Sequence, residues 1–200
     1  MVEAGTREDR WVVAPQGWVK VNVDAGVNTG EGVGVGAVCR DDEGRVLWGM
    51  AWDWKKEWEP GVAEAVAVLE GLEEAKRKGH DKVVIESDCI QVIEALNRKK
   101  HGRNIFYLVV NDILSLASYF MSISWVYTHR ANNSVFHALA HLFPRVVGKR
   151  VWSNRSELVP ADPEPERTFR RRQNLLREIR REEVLSNLEP VLENFTFAEA

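Results

Sequence analysis

Three acids stand where chemistry could be done: Asp24, Glu64 and Asp88. Asp24 ends the alternation Val19-Lys20-Val21-Asn22-Val23-Asp24, whose two-residue period predicts a strand with Asp24 on its polar side beside Asn22. Glu64, between Ala63 and Ala65, falls in the first turn of a helix predicted over 62–78. Asp88 closes Ile85-Glu86-Ser87-Asp88, just past the apolar run Val83-Val84-Ile85. Strand ends and helix starts at one edge of an open sheet are where ligand sites are built. Carboxylates gathered there repel one another unless cations neutralise them. An all-oxygen site suits magnesium or manganese.

Taken singly, each acid has an ordinary explanation. Asp24 could be solvated, Glu64 a favourable charge in a first helical turn, and Asp88 the N-cap of a helix over 90–100. Glu70, Glu73 and Glu74 are expected on the solvated face of the 62–78 helix. His137 and His141 have the i, i+4 spacing of zinc sites, but zinc needs further ligands, and Cys39 and Cys89 form no paired motif. His137 alone fits a metal neighbour, a proton shuttle or an inert surface group. The run Arg98-Lys99-Lys100-His101-Gly102-Arg103 is the strongest local basic patch. It could grip DNA phosphates or complete a helix C-terminus. The alternating glycines Gly30, Gly32, Gly34 and Gly36 would allow close backbone approach to a minor groove, or relieve crowding in a twisted strand. Trp48, Trp52 and Trp54, at strand spacing, are expected to be packing surface.

The elements that must position these groups follow from periodicity. Strands are predicted at 19–24, 33–40 and 46–52, the last two joined by the turn Asp41-Asp42-Glu43-Gly44. The 62–78 helix ends at Gly79. A buried parallel strand holds Val83, Val84 and Ile85. Helices follow over 90–100 and about 104–120, then a strand through Ile123, Trp125 and Tyr127. A closing helix carries Val135, Ala138, Leu139, Leu142 and Val146. This order fits a mixed five-stranded sheet, three strands antiparallel and two parallel, with helices on both faces. Val159-Pro160-Ala161-Asp162-Pro163-Glu164-Pro165-Glu166 reads as a linker. Residues 170–193 read as an amphipathic helix in which Arg170, Arg171 and Arg172 face Glu178, Glu182 and Glu183. That suits a protein partner or its own domain better than nucleic acid. A domain over 11–152 and a tail over 153–200 result.

Composition bounds the rest. In 200 residues, Lys plus Arg number 27 against 30 acids, a net charge of −3, so any nucleic-acid site must be a local patch. Two cysteines favour a reducing compartment. No apolar run resembles a secretory signal or a membrane span, so an intracellular protein, cytoplasmic or nuclear, is expected. On that footing the sequons at Asn132, Asn154 and Asn194 are accidental.

These blocks together carry a resemblance. Trp11 and Pro15-Gln16-Gly17-Trp18-Val19-Lys20-Val21-Asn22-Val23-Asp24-Ala25 resemble the opening of plant ribonuclease H-like domains, related to retroelement ribonuclease H. Ala25 replaces that family's usual glycine. Gly32 to Asp41 is similar to its glycine-rich second strand, and Ala63-Glu64-Ala65, Gly71-Leu72 and Ala75 to its first helix. Glu86-Ser87-Asp88 is similar to its fourth-strand signature, and Arg130 to Ala140 to its final helix block. The resemblance spans about 11–152 and implies a three-layer α/β/α ribonuclease H-like fold. It implies a type 1 enzyme cutting the RNA strand of RNA–DNA hybrids, leaving 5′-phosphate and 3′-hydroxyl ends. Two Mg2+ or Mn2+ ions about 4 Å apart would be held by Asp24, Glu64 and Asp88, with Asp24 bridging both. The fourth acid of the family is His137 here, as in related plant domains. A neutral imidazole removes one negative charge and suits manganese or zinc better than magnesium. The nucleic-acid contacts implied are Asn22, Gly34, Arg98, Lys99, Lys100, Arg103, Arg130 and Asn133. A monomer is expected. The competing expectation is a retroelement-derived binding or interaction module with negligible turnover.

Overall fold

The computed structural model describes residues 12–28, 32–54, 58–130, 148–153 and 158–160. The chain divides into two compact units, Met1–Ala161 and Asp162–Ala200. The expected closing helix and the C-terminal helical tail lie outside the described residues.

Strands β1 (Val19–Asn28), β2 (Gly32–Arg40) and β3 (Val46–Trp54) form the expected meander. β1 pairs antiparallel with β2 from Lys20↔Arg40 to Asn28↔Gly32, and β2 pairs antiparallel with β3. Asp41 shapes the β2–β3 turn by accepting from the Glu43 and Arg45 amides, with Gly44 at φ 81°. Helix α1 (Pro60–Arg77) leads into β4 (Lys82–Ser87), which pairs parallel to β1. Helices α2 (Ile90–Asn97) and α3 (Ile105–Ala117) precede β5 (Ser122–Tyr127), parallel to β4. The order β5-β4-β1-β2-β3 is the mixed five-stranded sheet that the periodicity predicts.

Two unexpected strands extend it. β6 (Gly148–Ser153) pairs with β3, and β7 (Leu158–Pro160) pairs with β6, so the sheet has seven strands among the described residues. The sheet therefore runs past residue 152 into the stretch that reads as linker. A proline is compatible with the last position of an edge strand, where no ladder donor is required.

The apolar face of the sheet carries Val21, Val23, Ala37, Met50 and Ile85, all fully buried, and α1 packs across it. A Cβ on Gly71 would lie 2.8 Å from Val23 Cγ1, so glycine sets how closely helix and strand approach. Trp48 is buried and donates its indole N–H to His80 Nε2 at 3.1 Å, as expected of packing surface.

Three local expectations are corrected. Helix α1 begins at Pro60, because proline at N1 is pre-set for helix and lacks only a donor that would be orphaned there. Glu64 thus sits in the second turn, beyond the reach of the N-terminal dipole. Glu70 and Glu74 are buried rather than solvated: Lys149 of β6 reaches them at 3.2 and 3.9 Å, and Arg77 pairs with Glu74 at 2.6 Å. Helix α2 is N-capped by Cys89, not Asp88. No helix among the described residues is long and apolar enough to cross a membrane.

Candidate metal centre

The β1–β4 ladder runs from Val19↔Val83 to Asn22↔Glu86 and stops. Beyond that rung, β1 continues along β2 alone, while β4 ends at Ser87. The crevice lies at the C-terminal ends of two parallel strands, where the connectivity changes direction. Asp24 is two residues past the last rung on β1, and Asp88 two residues past it after β4. Helix α1 supplies Glu64 from its second turn. One carboxylate oxygen from each of Asp24, Glu64 and Asp88 lies within 4.8 Å of the others.

This cluster is electrostatically unbalanced. Burial, then the Asp24 and Asp88 charges, push the Glu64 carboxyl up to about 9, against a bond from the Ala25 amide and the Arg130 charge. The Glu64 Oε2 atom is buried without a hydrogen-bond partner. An orphaned buried oxygen beside two further carboxylates fits a hard divalent cation. Such ions take oxygen ligands at about 2.0–2.6 Å, so closing the cluster needs little movement. Among the described residues no other group of three or more potential ligands is gathered this way.

The remaining expected site residues fall in different places. Asn22 is fully buried, and its amide donates to Glu86 Oε2 at 2.7 Å while its carbonyl accepts from Arg40 at 3.4 Å. It belongs to the interior and offers no surface to a nucleic acid. The polar side of β1 is in fact a buried row, Lys20, Asn22 and Asp24. Gly34 pairs with Gly26 and with Asp53, next to the Asp24↔Gly36 rung and on the same face of the sheet. Arg98, Lys99, Lys100 and Arg103 are exposed after α2, about 12 Å along the helix from the Asp88 end. Arg98 caps α2 and lies 3.7 Å from Glu94. Arg130 is exposed and close enough to act on Glu64. His137, His141 and Asn133 lie outside the described residues. Sequence reasoning missed Glu86 and Lys20 as partners, because the register Asn22↔Glu86 joins strands far apart in the chain.

The reverse transcriptase-like family model matches residues 22–143, more than half of the chain. The chain belongs to the reverse transcriptase-like family. The match contains all three clustered acids. Solved structures place the family member's fold as ribonuclease H-like. Ribonuclease H1 from the halophilic archaeon Halobacterium salinarum is similar at 21% identity, over 62% of this chain and 95% of its own, with a TM-score of 0.58. The N-terminal ribonuclease H domain of a Mycobacterium tuberculosis protein is similar at 24% identity, over 62% and 91%, with a TM-score of 0.57. LC11 ribonuclease H1, solved in complex with an RNA/DNA hybrid, is similar at 18% identity, over 62% and 94%, with a TM-score of 0.56. No curated protein matches the sequence.

Proposed function

We propose that this family member is a divalent-cation-dependent endonuclease hydrolysing the RNA strand of RNA–DNA hybrids. The observation that carries the reading is the convergence of Asp24, Glu64 and Asp88 from three separate elements, with oxygens within 4.8 Å, on a ribonuclease H-like fold. Asp24, Glu64 and Asp88 hold Mg2+ or Mn2+, and His137 closes the site. Two such ions, when bound, supply nucleophile activation and neutralise charge at the leaving oxygen. The protein's own part is positional. Asp24, the most buried of the three, would be a ligand of the bound ions, the Ala25 amide bonds Glu64, and Arg130 adds positive charge beside it.

Substrate contacts are assigned by exposure and placement. The side-chain-free Gly26↔Gly34 rung lets backbone approach the minor groove, where 2′-hydroxyls mark the RNA strand. Arg98, Lys99, Lys100 and Arg103 take DNA phosphates, and Arg130 takes the RNA strand; Asn133 keeps only the contact that the resemblance implies. Asn22 is withdrawn from this set because its side chain is internal.

The test is cleavage of a labelled hybrid with Mg2+ and, separately, Mn2+. Products with 5′-phosphate and 3′-hydroxyl ends are expected, and Asp24→Asn is expected to lose about a hundredfold or more. Absence of cleavage in both metals overturns the enzyme. Inactivity with hybrid binding retained establishes the binding module instead.

A further inference from the structure

We propose that Asn22 and Glu86 form a positioning clasp that fixes the spacing of Asp24 and Asp88, resting on the divalent-cation reading of those acids. The clasp occupies a particular place. Asn22↔Glu86 is the last rung of the β1–β4 ladder, and the two strands part immediately beyond it. Each clustered acid on these strands lies two residues past a clasp residue, so the angle at which the strands separate sets the distance between the carboxylates. Beyond the ladder's end no backbone pairing between β1 and β4 holds that angle. Side chains at its end can hold it.

The chemistry of the clasp suits this role. One carboxylate takes two donors, Lys20 Nζ on Oε1 at 2.5 Å and Asn22 Nδ2 on Oε2 at 2.7 Å. Both donors come from β1, so Glu86 grips the neighbouring strand at successive positions of one face. Lys20, Asn22 and Glu86 are all at most 6% exposed, which removes water as a competitor for these bonds. Lys20 also holds the Val12 carbonyl, and Arg40 of β2 donates to Asn22 Oδ1 at 3.4 Å. Three strands are thereby joined at the mouth of the crevice. Lys20 serves to neutralise Glu86, and the Asn22–Glu86 bond crosses the final rung.

Mn2+ binding to the folded protein, measured by calorimetry well below the melting midpoint, separates positioning from stability. Asn22→Ala leaves the Lys20–Glu86 pair intact and is expected to weaken Mn2+ binding about tenfold or more, the scale of losing an outer-shell partner. Lys20→Met/Glu86→Gln removes both charges together and keeps an amide oxygen for Asn22, so binding is expected within about threefold of wild type. Val151→Ala, buried on β6 away from β4, is expected to lower the melting midpoint without changing Mn2+ affinity. If Asn22→Ala does not fold, Lys20→Met/Glu86→Met gives the same readout without leaving a lone buried ion. Wild-type affinity in the variant lacking the Asn22–Glu86 bond overturns the clasp and leaves the metal centre standing. Equal weakening in the bond-keeping double variant also overturns it. A wild-type protein that binds no Mn2+ overturns the metal centre and the clasp with it.

Discussion

Two polar clusters share one face of β1, a single rung apart, and they solve burial in opposite ways. Around Glu86, every acid has a cation: Lys20 is bonded at 2.5 Å, the Asn22 amide is satisfied on both sides, and Arg40 stands by. Burial pulls the Arg40 guanidinium below its ordinary value, and Glu86 opposes that pull. Around Asp24 the acids face one another, and Glu64 is pushed up to about 9. The first cluster is complete as folded. The second leaves a Glu64 oxygen unpartnered beside two further acids, and the proposed cation would supply the charge that suits it. On the proposed function, stability and activity are thus separated by about two residues of strand, and perturbing each cluster should move the protein in opposite directions.

The largest effect is expected at the balanced cluster. Lys20→Met strips the buried Glu86 of its bonded cation, leaving it the Asn22 amide, and should lose about 3–5 kcal/mol in urea denaturation, most of it recovered by adding Glu86→Gln. Next comes cation-linked stabilisation. Mg2+ or Mn2+ at a hundred times its dissociation constant should add about 2.7 kcal/mol, and Asp24→Asn should abolish the gain. That gain should grow with pH. Glu64 keeps its proton in the fold up to about pH 9 but loses it near 4.5 when unfolded. The folded state therefore binds more protons across that window, and the cation-free protein loses stability as pH rises through it. A melting midpoint that rises with pH in Glu64→Gln relative to wild type checks the sign.

Gly71→Ala tests how tightly α1 must sit against β1 to deliver Glu64. The added Cβ, 2.8 Å from Val23 Cγ1, should cost about 1–3 kcal/mol and weaken cation binding. Asp24→Asn alone should raise the cation-free stability by about 1 kcal/mol, because it removes one of the mutually repelling charges. The smallest effect belongs to His80. Burial, with Lys78, lowers its imidazole below the usual value, and its Nε2 accepts from Trp48. The unfolded chain takes a proton near pH 6.5 that the fold resists, so stability falls as pH drops through that value toward the lower folded one. Wild type should lose about a few tenths of a kcal/mol more than His80→Gln between pH 7.5 and 5.5, since solvent screens a half-exposed group.

Much of this contrast was legible beforehand, for reasons that differ by residue. The period-two runs through Val21, Val35, Met50 and Trp125 and the apolar run at Val83 expose the five central strands, because local alternation encodes a face. Asp24, Glu64 and Asp88 stood out because each falls within one of the ordered blocks of a resemblance. What local pattern could not carry was long-range pairing. Lys20 and Asn22 look solvated until Glu86, 64 residues after Asn22, lies opposite them. Glu70 and Glu74 look like a wet helix face until Lys149 of β6 covers them. The strand β7 was hidden by the prolines at and after Pro160, and β6 is a short run with no clear period-two pattern of its own. Glu64 was placed one turn too early because Pro60 starts α1 ahead of its first apolar repeat.

The parallel rung at Asn22↔Glu86 joins segments separated by the whole meander and α1. Closures over such distances form late, since the chain must lose loop entropy before the contact repays it. If the three acids hold a cation as proposed, its capture during refolding reports the moment that the two halves of the sheet meet, and no segment ending before Asp88 contains the whole set.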